Sequence, residues 1–337
     1  MNSLERIVAT VKFKNADRVP VIAQVFGHAA AVAGISLDEY VRDGEMLARC
    51  QLNALHRYGY DAVFSVMDVN VETEAAGSVL QYRKNRYPVI ERYALSREGD
   101  WNALSLPDPH KAGRMPEMLK ALGILRREIR DEAMVVGCVV GPFTLTTQLL
   151  GVETALYLAI DDSPRLERLM DFATEVIIGF GLAQLQSGAH LPIVFDPSAS
   201  PAVIPPNFFR EFELPRLQRV FQAFTAAGAV ANWLHIAGPV RSILPYYPKA
   251  GVHIANIDYC VSAEEAGNEL PTTCLDGNIK SVTFVEGSPA EIEAEAVNLL
   301  SVFRGRGGFI LSSGCEIPPE STPENVAALV NAARARL

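Results

Sequence analysis

Short apolar runs alternate with segments of helical periodicity along almost the whole chain. Several runs are continuously apolar, which is typical of strands that are covered on both faces. The eight candidate strands are Arg18–Val25, Asp61–Val66, Met134–Val140, Pro192–Phe195, Val230–Leu234, Val252–Ile257, Thr272–Leu275 and Gly308–Leu311. A strand followed by a helix, repeated eight times, predicts an α/β fold of the (β/α)8 or TIM barrel class.

The segments between these runs carry helix start and stop signals. Ser36 and Glu39 have the spacing of a capping box. A second helix is predicted from Asp43 to Tyr58, with Gly59 ending it. Ser163 precedes a proline and is the predicted N-cap of a further helix.

The segment Ser78–Trp101 departs from this alternation. Tyr82, Tyr87 and Tyr93 lie among polar residues there, and no helical period is present. Such a mixture predicts a β-hairpin inserted after the second barrel strand.

Composition narrows the range of functions. The chain has 337 residues, is 49% hydrophobic and carries a formal net charge of -9. This length suits one barrel domain, residues 1–337. An acidic balance argues against nucleic acid or a membrane surface as partner, and no apolar run approaches the roughly 20 residues that span a bilayer. A cytoplasmic location is therefore expected, and the five scattered cysteines do not indicate a disulfide framework.

Polar, ionisable or glycine residues follow every candidate strand. Catalytic groups of such barrels lie where strands end and loops begin, so one shared site is predicted. The groups in question are Gly27-His28, Asp68, Gly141–Thr144, Asp196–Ser200, His235–Gly238, Asp258 with Cys260, Asp276–Asn278 and Ser312–Cys315.

Three residues are predicted to do acid–base work or to contact the substrate. His28 suits proton transfer near neutrality, although packing against the first helix explains it equally well. Asp68 is predicted to face the pocket. Glu72 either bonds the substrate or pairs with Arg83 or Arg92 of the hairpin.

Four residues are predicted to line a substrate pocket. Phe26 and Phe143 would form apolar walls, whereas aromatic residues of barrels often belong to the core. Asp196 either faces the pocket or forms a turn with Ser198. Asn232 either points inward or bridges buried backbone groups.

Several segments resemble the methylcobalamin:coenzyme M methyltransferases of the uroporphyrinogen-decarboxylase superfamily. The resemblance extends from about residue 3 to the C-terminus. The matching stretches are Val71–Gly77, Gly141–Leu145, Asp196–Ser200, His235–Pro239, Asp276–Ile279, Gly307–Cys315, Ile317–Pro319 and Pro323–Val326.

This resemblance implies a zinc enzyme that exchanges a methyl group with a corrinoid, methylcobalamin for example, carried by a separate small protein. The family's zinc ligands lie in a His-x-Cys after strand 5 and in a Cys after strand 8. His235 and Cys315 fill two of these positions, but residue 237 is alanine. Cys260 near the end of strand 6, with Asp258 beside it, is the predicted replacement.

Two alternatives stay open from the sequence. Asp68 lies nine residues before Gly77, similar to an essential aspartate of uroporphyrinogen decarboxylase. However, the segment Gln24–Ala30 contains no arginine to hold the carboxylates of that substrate. The second alternative is a barrel that binds a corrinoid partner without catalysis, which Ala237 makes plausible.

The leading hypothesis is a methyltransferase that uses Zn2+ as Lewis acid. Its small methyl donor or acceptor would be of the thiol, methyl ether or methylamine type. The sequence does not fix the direction of transfer or the oligomeric state, and a homodimer is compatible with it.

Overall fold

The computed structural model describes residues 1–99, 101 and 104–335. Its strands are β1 Val21–Ile22, β2 Ala62–Phe64, β3 Val79–Gln81, β4 Val89–Arg92, β5 Met134–Val140, β6 Leu191–Phe195, β7 Trp233–His235, β8 Ile254–Ile257, β9 Cys274–Ile279 and β10 Phe309–Ser313.

The α-helices among the described residues follow the strands or extend their loops. They are α1 Ser3–Val11, α2 Gly27–Ala33, α3 Leu37–Tyr40, α4 Gly44–Tyr58, α5 Val71–Ala75, α6 Met115–Ile129, α7 Pro142–Leu150, α8 Val152–Asp161, α9 Ser163–Gln186, α10 Pro206–Phe208, α11 Leu214–Ala226, α12 Tyr247–Ala250, α13 Ala263–Glu269, α14 Thr283–Glu286, α15 Pro289–Val302 and α16 Pro323–Arg334. A π-helical turn, Phe209–Glu213, leads into α11.

Eight parallel strands form a nearly closed barrel in the order β1, β10, β9, β8, β7, β6, β5, β2. The first and last strands of this order are joined by one backbone hydrogen bond, in which Asp61 N donates to Val21 O at 2.8 Å. All eight predicted barrel strands are present. The predicted TIM barrel is therefore confirmed.

Two strands extend further than the apolar pattern indicates. Asp276 lies inside β9 and pairs in register with Asn256 and Ile310. Ser312 and Ser313 lie inside β10. These polar residues belong to strands because their backbone groups complete the parallel ladder, whatever their side chains prefer.

Aromatic residues fill part of the barrel interior. These residues reach across the barrel: Phe64 of β2 packs against Trp233 of β7, a strand that is not its neighbour, with ring centroids 6.0 Å apart, and Phe26 packs edge-on against Phe64 at 5.1 Å. All three side chains are buried. The core therefore ends in an aromatic layer just beneath the carboxyl ends of the strands.

Local signals place most helix ends as predicted. Asp43 caps α4 by accepting from Glu45 N and Met46 N, and Gly59 ends it with a left-handed φ of 70°. The predicted cap of α9 is displaced by one residue: Asp162, rather than Ser163, accepts from the backbone of Arg165.

The predicted hairpin is formed by β3 and β4, which pair antiparallel. Of the predicted segment Ser78–Trp101, Asp100 lies outside the described residues. Leu95 N donates to Leu149 O of α7, and Asn70 Nδ2 donates to Pro88 O in the hairpin loop. The hairpin is therefore fastened over the carboxyl end of the barrel.

Within the described part of the chain, no single helix has the length and hydropathy to cross a membrane. The helices α7 and α8 meet that criterion only as a pair bent by 105°.

Candidate active site at the barrel mouth

A cavity of about 240 Å³ opens at the carboxyl ends of the strands and is called the mouth cavity below. Most of its surface is apolar. Its lining residues are Phe26, Val66, Asp68, Val69, Asn70, Tyr87, Pro88, Phe195, Pro197, His235, Ala237, Cys315 and Glu316. Among the predicted site residues, Phe26, Asp68, His235 and Cys315 are brought together here.

His235 is the last residue of β7. Its ring packs edge-on against Phe195, with centroids 4.8 Å apart, and Nδ1 is buried with no hydrogen-bond partner in the described structure. Burial disfavours the imidazolium form and lowers the pKa of His235 to about 3. The ring is therefore neutral at physiological pH.

Cys315 follows β10 and is the second predicted ligand in the mouth cavity. Burial raises the pKa of its thiol to about 11, with the nearby carboxylates of Asp258 and Glu316 adding to the effect. A Cβ on the preceding Gly314 would lie 3.0 Å from Asp258 Oδ1, so this close approach favours glycine.

Asp258 and Cys260 do not line the mouth cavity. Asp258 accepts from Gly238 N and from Tyr259 N, both at 2.7 Å, and so fastens the loop after β7 to the end of β8. The chain turns at this point and leaves Cys260 exposed. The described residues include no group of three or more His, Cys, Asp or Glu that could hold a metal ion. The four predicted zinc ligands are therefore not assembled into one site.

Asp68 lines the mouth cavity, but its carboxylate is engaged by Arg114. Arg114 Nη2 donates to Asp68 Oδ1 at 3.2 Å, and Nε donates to Glu74 Oε2 at 2.7 Å. Asp68 Oδ1 also accepts from Asn70 N at 2.8 Å. The carboxylate therefore holds the loop that carries Asn70 in place.

Glu72 is buried outside the mouth cavity. It lies in α5, a helix rather than the extended segment that would place Glu72 and Glu74 on one face. Its Oε1 accepts from Val140 N at 2.9 Å, and burial raises its pKa to about 7. The predicted alternative partners, Arg83 and Arg92, do not pair with it in this arrangement.

His28 also lies away from the lining. Its Nε2 atom is 2.8 Å from the Tyr58 hydroxyl, and Nδ1 is 3.4 Å from the Pro319 carbonyl. Burial lowers the pKa of His28. His28 lies within α2, and its ring contacts α4 instead of the mouth cavity, so its catalytic role stays a prediction.

Phe143 and Asn232 contact other parts of the molecule. Phe143 packs against Phe208 at 4.9 Å between ring centroids. Asn232 precedes β7, at the opposite end of the barrel, and its Nδ2 donates to Gly251 O at 2.9 Å and to Thr225 Oγ1 at 3.1 Å. Its side chain bridges buried groups instead of reaching the mouth cavity.

Asp196 and Glu213 form a buried pair of carboxyl groups that no sequence pattern predicts. Asp196 Oδ1 accepts from Thr144 N at 2.9 Å and Thr144 Oγ1 at 2.6 Å, and a Cβ on Gly141 would collide with its side chain. The second member is Glu213 of the π-helical turn, which is also fully buried. Burial raises the pKa of both carboxyl groups. The charge of the neighbouring Asp196 raises the pKa of Glu213 further. The arrangement therefore favours the protonated form of one carboxyl group of the pair.

Tyr87 and Glu316 form the wall that sequence reasoning missed. Tyr87 Oη donates to Glu316 Oε1 at 2.6 Å, and Gly27 N donates to the same oxygen at 3.1 Å. Burial raises the pKa of Glu316 to about 7. The available signal was position alone: Glu316 directly follows Cys315, and Tyr87 lies in the predicted hairpin.

The chain is similar to known proteins over nearly its whole length. A family model described as uroporphyrinogen decarboxylase (URO-D) matches residues 2–336. The methylcobamide:CoM methyltransferase MtaA of Methanosarcina barkeri is 28% identical over 335 residues, covering 97% of this chain and 96% of that protein. A uroporphyrinogen decarboxylase of Syntrophotalea carbinolica is 28% identical over 300 residues, covering 87% of this chain and 84% of its own length.

Solved structures show the same barrel. A methyltransferase from Methanosarcina mazei superposes with a TM-score of 0.91 at 28% identity, covering 99% of both chains. A B12-independent methionine synthase from Shewanella shares the fold, with a TM-score of 0.62 at 13% identity over 86% of this chain and 88% of its own. With a family model matched over nearly its full length, the chain belongs to the uroporphyrinogen decarboxylase family.

Proposed function

We propose that this protein is a methyltransferase that exchanges a methyl group between a corrinoid on a partner protein and a small compound in the mouth cavity. One observation carries the proposal: His235 and Cys315 both line a small apolar cavity at the strand ends. The barrel around them is similar over 99% of its length to a methyltransferase of known structure.

The cavity walls suit transfer of an apolar group. A methyl group passes between two centres only when donor and acceptor lie close together and in line, so binding must fix both orientation and distance. Phe26 and Phe195 form adjacent walls with ring centroids 5.9 Å apart. Asp68 and Arg114 brace the loop opposite. These residues would position the small compound and exclude water.

The zinc ion implied by the sequence resemblance is not supported by the donor set. When bound, zinc would supply Lewis-acid activation of a thiol or of a leaving oxygen. Catalytic zinc sites usually have three protein ligands. Only His235 and Cys315 of the predicted set line the mouth cavity, while Ala237 occupies the position of the missing cysteine.

Uroporphyrinogen decarboxylation is disfavoured by the same cavity. Its substrate is a tetrapyrrole with eight carboxylates, which require arginine or lysine partners. None of the described residues lining the mouth cavity is lysine or arginine. A volume of about 240 Å³ is also below the roughly 300–1,000 Å³ typical of pockets for drug-sized ligands.

The proposal is tested by following cobalt(I) and methylated cobalamin by absorbance in the presence of purified protein. The donors to compare are a thioether, a methyl ether and an N-methylated ammonium compound. His235→Asn and Cys315→Ser are each expected to lower the transfer rate about tenfold or more, equivalent to about 1.4 kcal/mol of transition-state stabilisation. Cys260→Ser is the matched control, because that thiol is exposed and outside the cavity.

Two results would count against the proposal. One is the absence of methyl exchange with every donor class, and the other is decarboxylation of uroporphyrinogen. Metal analysis after reducing, zinc-replete purification tests the zinc hypothesis separately. From the donor set we expect less than one zinc per chain, and stoichiometric zinc lost in Cys315→Ser would reverse that expectation.

A further inference from the structure

The described residues that line the mouth cavity include no side chain with a permanent positive charge. The described lining contains the carboxyl groups of Asp68 and Glu316 and no lysine or arginine. The nearest guanidinium, Arg114, is buried and engaged by Asp68 and Glu74. Placing an anionic compound here would bury a charge without a partner, which is strongly unfavourable.

Glu316 is held in a fixed position with one oxygen free for a ligand. Both hydrogen bonds to its carboxylate, from Tyr87 Oη and from Gly27 N, go to Oε1. Oε2 makes no hydrogen bond with the described residues and is therefore free to bind a ligand. A Cβ at Gly27 would lie 2.7 Å from Tyr87 Oη, so the glycine is required for this arrangement. A carboxylate positioned in this way can partner a cation.

Aromatic rings surround the same space. Phe26 and Phe195 meet at an interplanar angle of 73°, so they form two walls of a corner. The neutral ring of His235 continues this wall edge-on to Phe195, and Tyr87 stands beside Glu316. Aromatic groups near a carboxylate form the environment that binds alkylated ammonium ions through cation–π attraction.

The candidate methyl donors and acceptors differ in the proton transfer or Lewis-acid assistance that they require. A thiol acceptor must lose its proton, and a methyl ether must release an alkoxide. Both demands are usually met by a Lewis acid or a proton donor. A quaternary ammonium ion makes neither demand, because it leaves as a neutral tertiary amine.

The atoms and electrons of that transfer balance without a proton. The N–CH3 bond breaks, and its electron pair remains on nitrogen. Cobalt(I) of the corrinoid supplies the pair for the new Co–CH3 bond and is formally oxidised to cobalt(III). The incomplete zinc donor set is therefore no obstacle to this substrate.

We infer that the small compound taken by the mouth cavity is a quaternary ammonium compound with N-methyl groups, held by Glu316 and the rings of Phe26 and Phe195. The inference rests on the proposed function, since it names the methyl donor for the same site.

The test compares three probes by isothermal titration calorimetry on the whole protein. Choline carries the cation, 3,3-dimethyl-1-butanol replaces its nitrogen by carbon at almost the same shape, and S-methyl coenzyme M carries an anionic sulfonate. We expect choline to bind at least about tenfold more tightly than its neutral isostere, in keeping with a desolvated cation–π contact and one carboxylate. S-methyl coenzyme M is expected to bind more weakly than either.

Glu316→Gln should remove the preference for choline while affinity for the neutral alcohol persists. Glu320→Gln, the same substitution at an exposed position of the same loop, is the matched control and should retain the preference. Phe195→Leu keeps the carboxylate and removes one ring. It should lower choline affinity severalfold with a smaller effect on the alcohol, which provides a second assay should Glu316→Gln fold poorly.

Equal binding of choline and the alcohol, or tighter binding of S-methyl coenzyme M, would overturn the inference. Methyl transfer to cobalt(I) cobalamin from a methyl ether or thioether, but from no ammonium donor, would overturn it while the proposed function stands. Selective choline binding without transfer from any donor would overturn the proposed function, and this substrate assignment with it.

Discussion

The two ends of the barrel differ in how completely their buried carboxyl groups are hydrogen-bonded. At the amino end, Asp61 is fully buried and accepts from Ser3 Oγ, Arg6 Nη1, both terminal nitrogens of Arg18 and Val21 N, at 2.6–2.8 Å. Nearer the carboxyl end, Asp276 of β9 is in register with Asn256, which pairs with His235 at the end of β7. Asp276 is also fully buried, but it accepts from Asn256 Nδ2 at 2.7 Å, and its Oδ1 has no partner among the described residues.

This difference separates stability from function. Saturating a buried carboxylate with guanidinium groups fixes the structure around it, and here it joins β1, β2 and α1. Leaving buried polar atoms without partners costs free energy, and such groups concentrate where a protein binds or reacts. In barrels the carboxyl end is that place.

The largest expected effect is on the amino end. Asp61→Asn leaves Arg6 and Arg18 without a buried counter-charge and should lower the free energy of unfolding by about 3–5 kcal/mol. Guanidinium denaturation followed by circular dichroism measures it. Asp17→Asn is the control: Asp17 also pairs with Arg6, but its side chain is 41% exposed, so a loss below about 1 kcal/mol is expected. Equal losses in the two variants would remove the contrast between buried and exposed pairs.

Substitution of Asp276 is expected to change the free energy of unfolding by an intermediate amount that depends on pH. Burial raises its pKa to about 7 in the folded protein, against about 4 in an unfolded chain. Between these values the unfolded state loses a proton that the folded state keeps, so stability falls as pH rises. Asp276→Asn removes this loss, and its stability relative to wild type should grow by up to about 1.4 kcal/mol per pH unit from pH 4 to 7 and then level off.

Urea denaturation of both proteins at several pH values measures this difference. Glu72 and Glu316 also have raised pKa values, but both proteins contain them, so their contributions cancel. A pH-independent difference would show that Asp276 is ionised in the folded state.

The smallest effect is expected at the carboxyl pair near the barrel mouth. Burial and the neighbouring Asp196 raise the pKa of Glu213 well above its usual value, which favours its protonated form. Glu213→Gln replaces a carboxyl group whose protonated form is favoured with a neutral amide of similar shape, and should change the free energy of unfolding by less than about 1 kcal/mol at pH 7. Stabilisation by several kcal/mol would instead mean that both carboxyl groups are ionised and repel each other.

The barrel could be predicted from sequence because its strands are continuous apolar runs. The ends of strands are harder to predict where a polar residue takes part in the backbone pairing, as Asp276 does in β9. His235 and Cys315 could be placed in one site because parallel strands bring their carboxyl ends together.

The other half of the site depends on contacts between distant segments. The bond between Tyr87 and Glu316 joins residues 229 positions apart and requires the hairpin to fold over the barrel mouth. The predicted place of Cys260 in the site requires β8 to continue past Ile257, but the strand ends there and the thiol is exposed. In the structure Asp258 ends the strand by accepting from two backbone amides. Neither contact leaves a periodic pattern in the sequence.

The pairing of β1 with β10 can form only after almost the whole chain has been synthesised. Ile22 and Ser312 are neighbours across the ladder, although 290 residues separate them. At roughly 5–20 residues per second, a ribosome needs on the order of 15 to 60 s between them. Throughout that interval the first barrel strand has no partner on its β10 side. Unpaired strand edges promote aggregation. The lengths of β1 and β2, only 2 and 3 residues, limit the edge that the growing chain exposes while it waits for its last strand.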